Sequence, residues 1–195
     1  MTQIKKENIK YRTIASMLRG KAVEEGVRYA VTSGLYSVKT RDAQKYGLNY
    51  FHENKRNIPN RFYKRYEKQI PSMIRICIKT LISIKYGKNI KPKKMHNLIT
   101  QKFAFPDFQT ESVIIDEKKI TRPIIELKTG EFINQTRILR DSKQALKYTT
   151  KRKGTCILLY LIANKPKTRH DLYSANSHLF RVSKGKSYHH KINFK

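Results

Sequence analysis

The stretch TCILLYLIA, residues 155–163, is the part of the sequence that decides the fold. Its apolar run from Cys156 to Ala163 is the longest in the chain, and it shows no polar alternation. A continuous run of this length is typical of a strand that is buried on both faces. Asp141-Ser142 before it predicts the start of a helix that runs to about Lys151. A helix that leads into a buried strand indicates an α/β fold with a central mixed sheet.

A β-hairpin is predicted upstream of that helix. Residues 103–108 and 112–115 are β-like, residues 116–119 (DEKK) form a turn, and residues 123–128 form the second strand. The hairpin, the helix and the buried strand together predict the sheet-containing half of the molecule.

The N-terminal half reads as helical. Residues 12–31 carry apolar side chains at helical spacing, and Pro71-Ser72 opens a second helix. The apolar face of the second helix comprises Ile74, Cys77, Ile78, Leu81 and Ile82. Short helices or loops fit residues 41–69, and residues 165–195 show no clear element. The length of 195 residues suggests one domain, with room for a small helical addition.

Two surfaces of this helical half allow two interpretations each. The second helix carries Arg75, Lys79 and Lys85 away from its apolar face. These side chains form either a basic face in contact with solvent or a face that follows a phosphate backbone. The tyrosines of residues 46–66 alternate with Lys and Arg, and they serve either packing or stacking on single-stranded bases.

The charge points to an anionic partner. Lys and Arg total 43 against 14 acidic residues, which gives a formal charge of +29, while 38% hydrophobic residues are enough for a core. Nucleic acid is the expected partner, because basic side chains release the counterions condensed on phosphate. The sequence has no apolar run of membrane-spanning length and no signal-peptide pattern, so no membrane partner and a cytoplasmic location are expected. The two cysteines, Cys77 and Cys156, stand in apolar runs and are expected to pack in the core.

Three residues around the predicted hairpin form a candidate metal site. Asp107 follows Pro106 at the end of the first strand, and Glu126 stands between apolar neighbours in IIELK. Glu126 and Lys128 are two apart, so they project from the same face of a strand, and the hairpin can bring Asp107 beside them. Two close carboxylates favour a cation between them, and their oxygens suit Mg²⁺. Lys128 would position the attacking water or stabilise developing negative charge.

Four short motifs in order resemble the PD-(D/E)XK nuclease superfamily, and in particular its lambda-exonuclease and RecB-type branch. In chain order they are RGKAVEEG (19–26) for the RG-x-x-x-E/H motif, Pro106-Asp107, Glu126-Leu127-Lys128, and QALKY (144–148) for the Q-x-x-x-Y motif. The resemblance covers about residues 15–163. It implies a restriction-endonuclease-like core with a central mixed β-sheet flanked by helices.

The resemblance also assigns roles to residues and a cofactor to the site. It implies a catalytic set of Asp107, Glu126, Lys128 and Glu24, whose three carboxylates bind Mg²⁺ or Mn²⁺. It implies supporting or DNA-contacting roles for a second set, Gln144, Tyr148, Arg19 and Glu25. The 83 residues from Glu24 to Asp107 are more than this branch needs, so residues 40–100 are expected to be a helical insertion. The core would then comprise about residues 12–38 and 100–165, with a basic C-terminal tail at 166–195.

Three functions follow as hypotheses. The leading one is a Mg²⁺-dependent exonuclease of a phage or mobile element that acts on DNA ends in recombination or DNA degradation. Its partners would be double-stranded ends or single strands, a homo-oligomer, and a single-strand annealing protein or helicase. The alternatives are a sequence- or structure-specific endonuclease (restriction, homing or junction-resolving) and a non-enzymatic basic nucleic-acid-binding protein of the ribosome or nucleoid.

Two further features of the C-terminal region add no function to these hypotheses. His170, His178, His189 and His190 lack the cysteine support that many zinc sites use, so a polar or DNA-contacting tail is the preferred interpretation. VSKGKS (182–187) lacks the first glycine of a phosphate loop and its strand–loop–helix context, which excludes a nucleoside-triphosphatase interpretation.

Overall fold

The protein is mixed α/β, with five helices and seven strands in the part of the chain that the computed structural model describes. The described residues are 3–55, 59–86, 108–152, 155–164, 166, 173–183 and 186–192. The helices are α1 (Gln3–Thr32), α2 (Thr40–Glu53), α3 (Asn60–Glu67), α4 (Ile70–Ser83) and α5 (Gln135–Arg152). The strands are β1 (Phe108–Gln109), β2 (Ser112–Ile115), β3 (Lys118–Thr121), β4 (Ile124–Gly130), β5 (Cys156–Asn164), β6 (Ser174–Ser183) and β7 (Lys186–Ile192).

The chain divides into two compact units. The first comprises residues 1–79, 128–132 and 161–177, and the second comprises residues 80–127, 133–160 and 178–195. The predicted helix over 12–31 is confirmed as α1, which begins earlier, at Gln3. Helices α2 to α4 occupy most of the segment predicted as a helical insertion, and residues 87–107 of that segment lie outside the described residues.

Close packing of α1 on α2 depends on two glycines in the first unit. A Cβ atom at Gly26 would lie 2.8 Å from the backbone oxygen of Ala43, and a Cβ atom at Gly47 would lie 2.7 Å from the backbone oxygen of Ala22. Both added atoms would also press on the Ile74 side chain of α4. These glycines therefore set the distance at which the helices meet.

Replacing Gly26 by Ala is expected to lower the free energy of unfolding by about 1–2 kcal/mol, although Ala is the better helix former. The added methyl group would meet backbone, which cannot move aside as a flexible side chain can. Gly20→Ala is the matched control on the same helix, because a Cβ there meets only the Thr129 hydroxyl, at 3.0 Å. Urea unfolding of both variants measures the difference, and an unchanged Gly26→Ala would contradict the packing argument.

In the second unit, β1 to β4 form one antiparallel hairpin with a constant register. Gln109 pairs with Ile124, and three residues further along each strand Ser112 pairs with Thr121. The turn consists of Asp116 and Glu117, both with positive φ (48° and 63°), the backbone of a two-residue hairpin turn. The predicted four-residue turn over 116–119 was therefore too long, because residues 118 and 119 already belong to β3.

A five-stranded mixed sheet has the order β1-β4-β5-β6-β7. Neighbours β4 and β5 are joined by α5, a helical connection of the type that parallel neighbours require. Every residue of β5 from Cys156 to Ala163 is buried, which confirms the prediction of a strand with two buried faces. The thiols of Cys77 and Cys156 are both buried, as predicted.

Three sequence-based expectations are corrected by the structure. The predicted helix start at Asp141-Ser142 is wrong: α5 begins at Gln135, and the side-chain oxygen of Asn134 accepts the Arg137 amide at 2.9 Å as its cap. Residues 165–195 contain β6 and β7 where no clear element was predicted. Ile82 is 38% exposed, so it does not belong to the buried face of α4.

None of the helices in the described ranges combines the length and the apolar character that crossing a bilayer would need.

Candidate functional site

Glu126 is a carboxylate inside the sheet. It lies in β4, where it and its apolar neighbours Ile125 and Leu127 are buried, and only 6% of its surface is exposed. Burying a carboxylate is unfavourable unless hydrogen bonds or a positive charge compensate it. The Glu126 carboxylate therefore requires a polar or charged partner.

Gln144 of α5 supplies a hydrogen bond to this carboxylate. The Gln144 amide Nε2 donates to Oε1 of Glu126 over 3.3 Å, between residues 18 positions apart, and both residues belong to the second unit. The structure thus brings the Q-x-x-x-Y and E-L-K motifs together at their first residues. The side chain of Tyr148, the last residue of that motif, lies outside the described residues.

The pairing of β1 with β4 begins at the residue that follows Asp107 in sequence. Phe108 is buried and pairs with Ile125. Asp107, the second expected metal ligand, lies outside the described residues. The described pair therefore starts at the residue that follows Asp107 and faces the residue that precedes Glu126.

Lys128 lies in the same strand as Glu126, two positions further on, and it is half-buried. Residues two apart on a strand project to the same side, so Glu126 and Lys128 are expected to project from the same face of β4.

Helix α1 approaches β4 closely at the residue after Lys128. A Cβ atom at Gly20 would lie 3.0 Å from Oγ1 of Thr129, and both residues belong to the first unit. The glycine of the R-G motif therefore packs directly against Thr129.

Glu24 and Glu25 form an ion-pair cluster with two basic residues of α1. Lys21 Nζ lies 2.9 Å from Glu24 Oε1 and 3.3 Å from Glu25 Oε1, and Arg28 contacts both carboxylates. Burial lowers the pKa of Lys21, but the hydrogen bond and negative charge of Glu24, together with Glu25, outweigh it and raise the pKa above its ordinary value. A metal ion at Glu24 would therefore compete with Lys21 and Arg28 for the carboxylate oxygens.

Arg19 is buried, with 2% of its surface exposed. Its guanidinium donates to Gln69 Oε1 at 2.5 Å and to Ser16 Oγ at 3.2 Å, and lies 5.0 Å from the ring centroid of Tyr66. Gln69 in turn donates to Glu131, the residue that follows β4, at 3.1 Å. These partners hold the Arg19 guanidinium inside the first unit.

A polar cluster that was not predicted from the sequence fixes α5 to β5. The Tyr160 hydroxyl donates to Asp141 Oδ2 at 2.9 Å, and Arg137 Nε lies 3.7 Å from the same oxygen. Arg140 Nε lies 3.2 Å from Asp141 Oδ1. Burial, and then the hydrogen bond to Asp141, raises the pKa of Tyr160 well above its ordinary value. The cluster orders the helix that also presents Gln144.

Two signals for this cluster exist in the sequence. Tyr160 stands in an otherwise apolar strand, and a buried Tyr hydroxyl usually has a hydrogen-bond partner. Arg137 and Asp141 are four residues apart, which puts them on one face of a helix. The predicted helix start at Asp141 left Arg137 outside the helix and hid this relation.

The described part of the site offers oxygen ligands to a metal ion. Within the described ranges, no group of three or more His, Cys, Asp or Glu side chains could hold one, and Asp107 lies outside those ranges. The Glu126 carboxylate has the hard oxygen chemistry that Mg²⁺ and Mn²⁺ prefer. Of the four C-terminal histidines, His178 is half-buried in β6, and the side chains of the other three lie outside the described residues.

Comparison of the chain with protein-family models, with curated proteins and with solved structures gives no match in any of the three. The functional inference for this chain therefore depends on its own residues. The most informative contact among them is the one between Gln144 and Glu126.

Proposed function

We propose that the chain is a Mg²⁺-dependent DNA nuclease of the PD-(D/E)XK type that hydrolyses phosphodiester bonds, most simply as an exonuclease acting on DNA ends. The hydrogen bond from Gln144 to Glu126 carries this proposal. Two motifs that are weak when taken singly meet in space at the residues that the resemblance makes functional. A chance match of short motifs in a basic sequence does not require such a meeting.

The arrangement of the sheet supports the same proposal. A hairpin separates Asp107 from Glu126 in sequence, and its β1–β4 pairing begins at the residue after Asp107. Helix α5 then joins β4 to β5, in the order expected of a restriction-endonuclease-like core.

In this proposal Asp107 and Glu126 would hold the Mg²⁺ ion. A bound Mg²⁺ ion would supply activation of water and stabilisation of the negative charge that develops on the phosphate. Gln144 fixes the orientation of the Glu126 carboxylate. Lys128 holds the attacking water or the phosphate oxygen. The ion pairs of Glu24 with Lys21 and Arg28 favour an orienting role for Glu24 over direct ligation.

A cleavage assay with two DNA forms tests the function. The purified protein is incubated with linear and with covalently closed circular DNA, each with Mg²⁺ or with EDTA, and the products are separated on a gel. Mg²⁺-dependent loss of linear DNA alone is the expected result. Cleavage of both forms would favour the endonuclease alternative. Binding without cleavage under either condition would contradict the nuclease proposal and favour the non-enzymatic one.

Replacing Lys128 by Ala is expected to slow Mg²⁺-dependent cleavage by about 10²-fold, because its charge near the reacting phosphate is lost. DNA binding is expected to change little, since one lysine among many contributes little to the total attraction. Lys119→Ala is the matched control, because Lys119 is an exposed lysine on a strand of the hairpin. An unchanged cleavage rate in Lys128→Ala would remove Lys128 from the active site.

A further inference from the structure

Helix α5 exposes a row of basic side chains. Arg140, Lys143 and Lys147 are exposed, and their spacing of three and four residues puts them on one face of the helix. We call these three residues the α5 basic row. The only acidic residue of α5 is Asp141, which is buried and ion-paired with Arg137. The charge of the row is therefore offset within α5 by this one carboxylate alone, which also contacts Arg140.

The row borders the residue that contacts Glu126. Gln144 is four residues after Arg140 and three before Lys147, so it lies beside the row on the same helix. Its amide donates to the Glu126 carboxylate. An anionic chain that lies along the row would consequently pass beside Gln144.

The dimensions of the row suit a run of phosphates. From residue 140 to residue 147 the helix advances by about 10 Å, and one DNA strand carries a phosphate about every 3.4 Å along the duplex axis. The row therefore spans roughly three phosphates. The Arg140 side chain is 74% exposed although its Nε contacts Asp141. That contact orders the guanidinium while the rest of the group can reach a ligand.

We propose that the α5 basic row binds the phosphate backbone of a DNA strand. The proposal rests on the proposed function for the cleavage of the bound strand, whereas binding of the strand needs no cleavage. The rival surface is the exposed basic face of α4, where Arg75 and Lys79 are also spaced by one helical turn. A protein with a charge of +29 binds DNA through many surfaces. The proposal therefore requires that the row contribute more to DNA binding than the basic face of α4 does.

The double variant Lys143→Ala/Lys147→Ala tests the row. The probe is a fluorescein-labelled DNA duplex of about 20 base pairs, and fluorescence polarisation measures its binding in EDTA over a range of salt concentrations. Each lost phosphate contact reduces the slope of log affinity against log salt by about 0.9. The expected result is a slope shallower by about 2 and an affinity at least about tenfold lower at about 0.1 M salt.

Two further variants make the result specific. Arg75→Ala/Lys79→Ala removes the same number of charges from α4 and is expected to weaken binding less than about threefold. Lys143→Arg/Lys147→Arg keeps the charge and is expected to bind like the unmodified protein, and circular dichroism checks the helix content of all variants. Unchanged binding of the Ala variant of the row, or an equal loss in the α4 variant, would overturn the proposal. Failure of the unmodified protein to cleave DNA would contradict the nuclease function alone, because this assay measures binding in EDTA.

Discussion

Replacing Glu126 by Gln is expected to reduce the rate of Mg²⁺-dependent DNA cleavage by at least about 10³-fold. The amide has the size of the carboxylate and can still bond with Gln144, so the packing of β4 should survive. It lacks the negative charge that would hold Mg²⁺. Single-turnover cleavage of an end-labelled linear DNA measures the effect, because it isolates the chemical step from product release.

Thermal unfolding separates loss of the site from loss of the fold in this variant. Glu126→Gln is expected to unfold at the same or a higher temperature, because a buried charge is removed. Glu117→Gln is the matched control: Glu117 is exposed at the hairpin turn, and the same chemical change there should leave cleavage unchanged. Cleavage by Glu126→Gln within about tenfold of the unmodified rate would show that Glu126 is not a catalytic residue.

Replacing Asp141 by Ala is expected to lower the free energy of unfolding by about 3 kcal/mol. The change leaves Arg137 beside an empty space and takes the acceptor from the Tyr160 hydroxyl, and both groups lie largely out of solvent. Breaking a buried pair from one side costs more than the pair contributes, since the remaining group keeps its desolvation penalty. Urea unfolding monitored by circular dichroism gives the difference.

Asp42 provides the control for this substitution. It is an exposed aspartate in the first turn of α2, where an acidic side chain contributes about 0.5 kcal/mol through the helix dipole. Tyr160→Phe should fall between the two, at about 1–2 kcal/mol, because it removes one hydrogen bond and no charge. If Asp141→Ala were no less stable than Asp42→Ala, the polar cluster would not hold α5 in place.

The sequence predicted best the elements whose pattern allows a single structural explanation. The apolar run of β5 has the length of a strand with two buried faces and is short for a buried helix, and the periodicity of α1 is that of a helix. The predicted helix start at Asp141 was wrong because an aspartate can either cap a helix or accept hydrogen bonds inside the protein. Only its packing against Tyr160 decides between these two roles. Strand β6 was missed because polar residues such as Asn176 and the buried Ser177 break its apolar alternation. Its neighbours in the sheet, not its own propensity, make it a strand.

The candidate site was predictable to the extent that it follows from local motifs. Glu126 and Gln144 were assigned to one site by resemblance, and the structure brings these two side chains into contact. The burial of Arg19 was not predictable, because its main partner, Gln69, is 50 residues away in the chain. The ion pairs of Glu24 were within reach of sequence reasoning, since Lys21 and Arg28 stand one helical turn to either side of it.

The constant register of the hairpin makes the length of its turn matter more than its composition. Side chains alternate between the faces of a strand, so a shift of one residue in the pairing turns every side chain of the strand to the opposite face. Asp116 and Glu117 are exposed and far along the hairpin from Phe108, yet their number fixes which residue of β4 Phe108 meets. Substitutions at this tip should therefore be tolerated by the proposed active site, whereas an insertion or deletion of a single residue there should inactivate it from a distance.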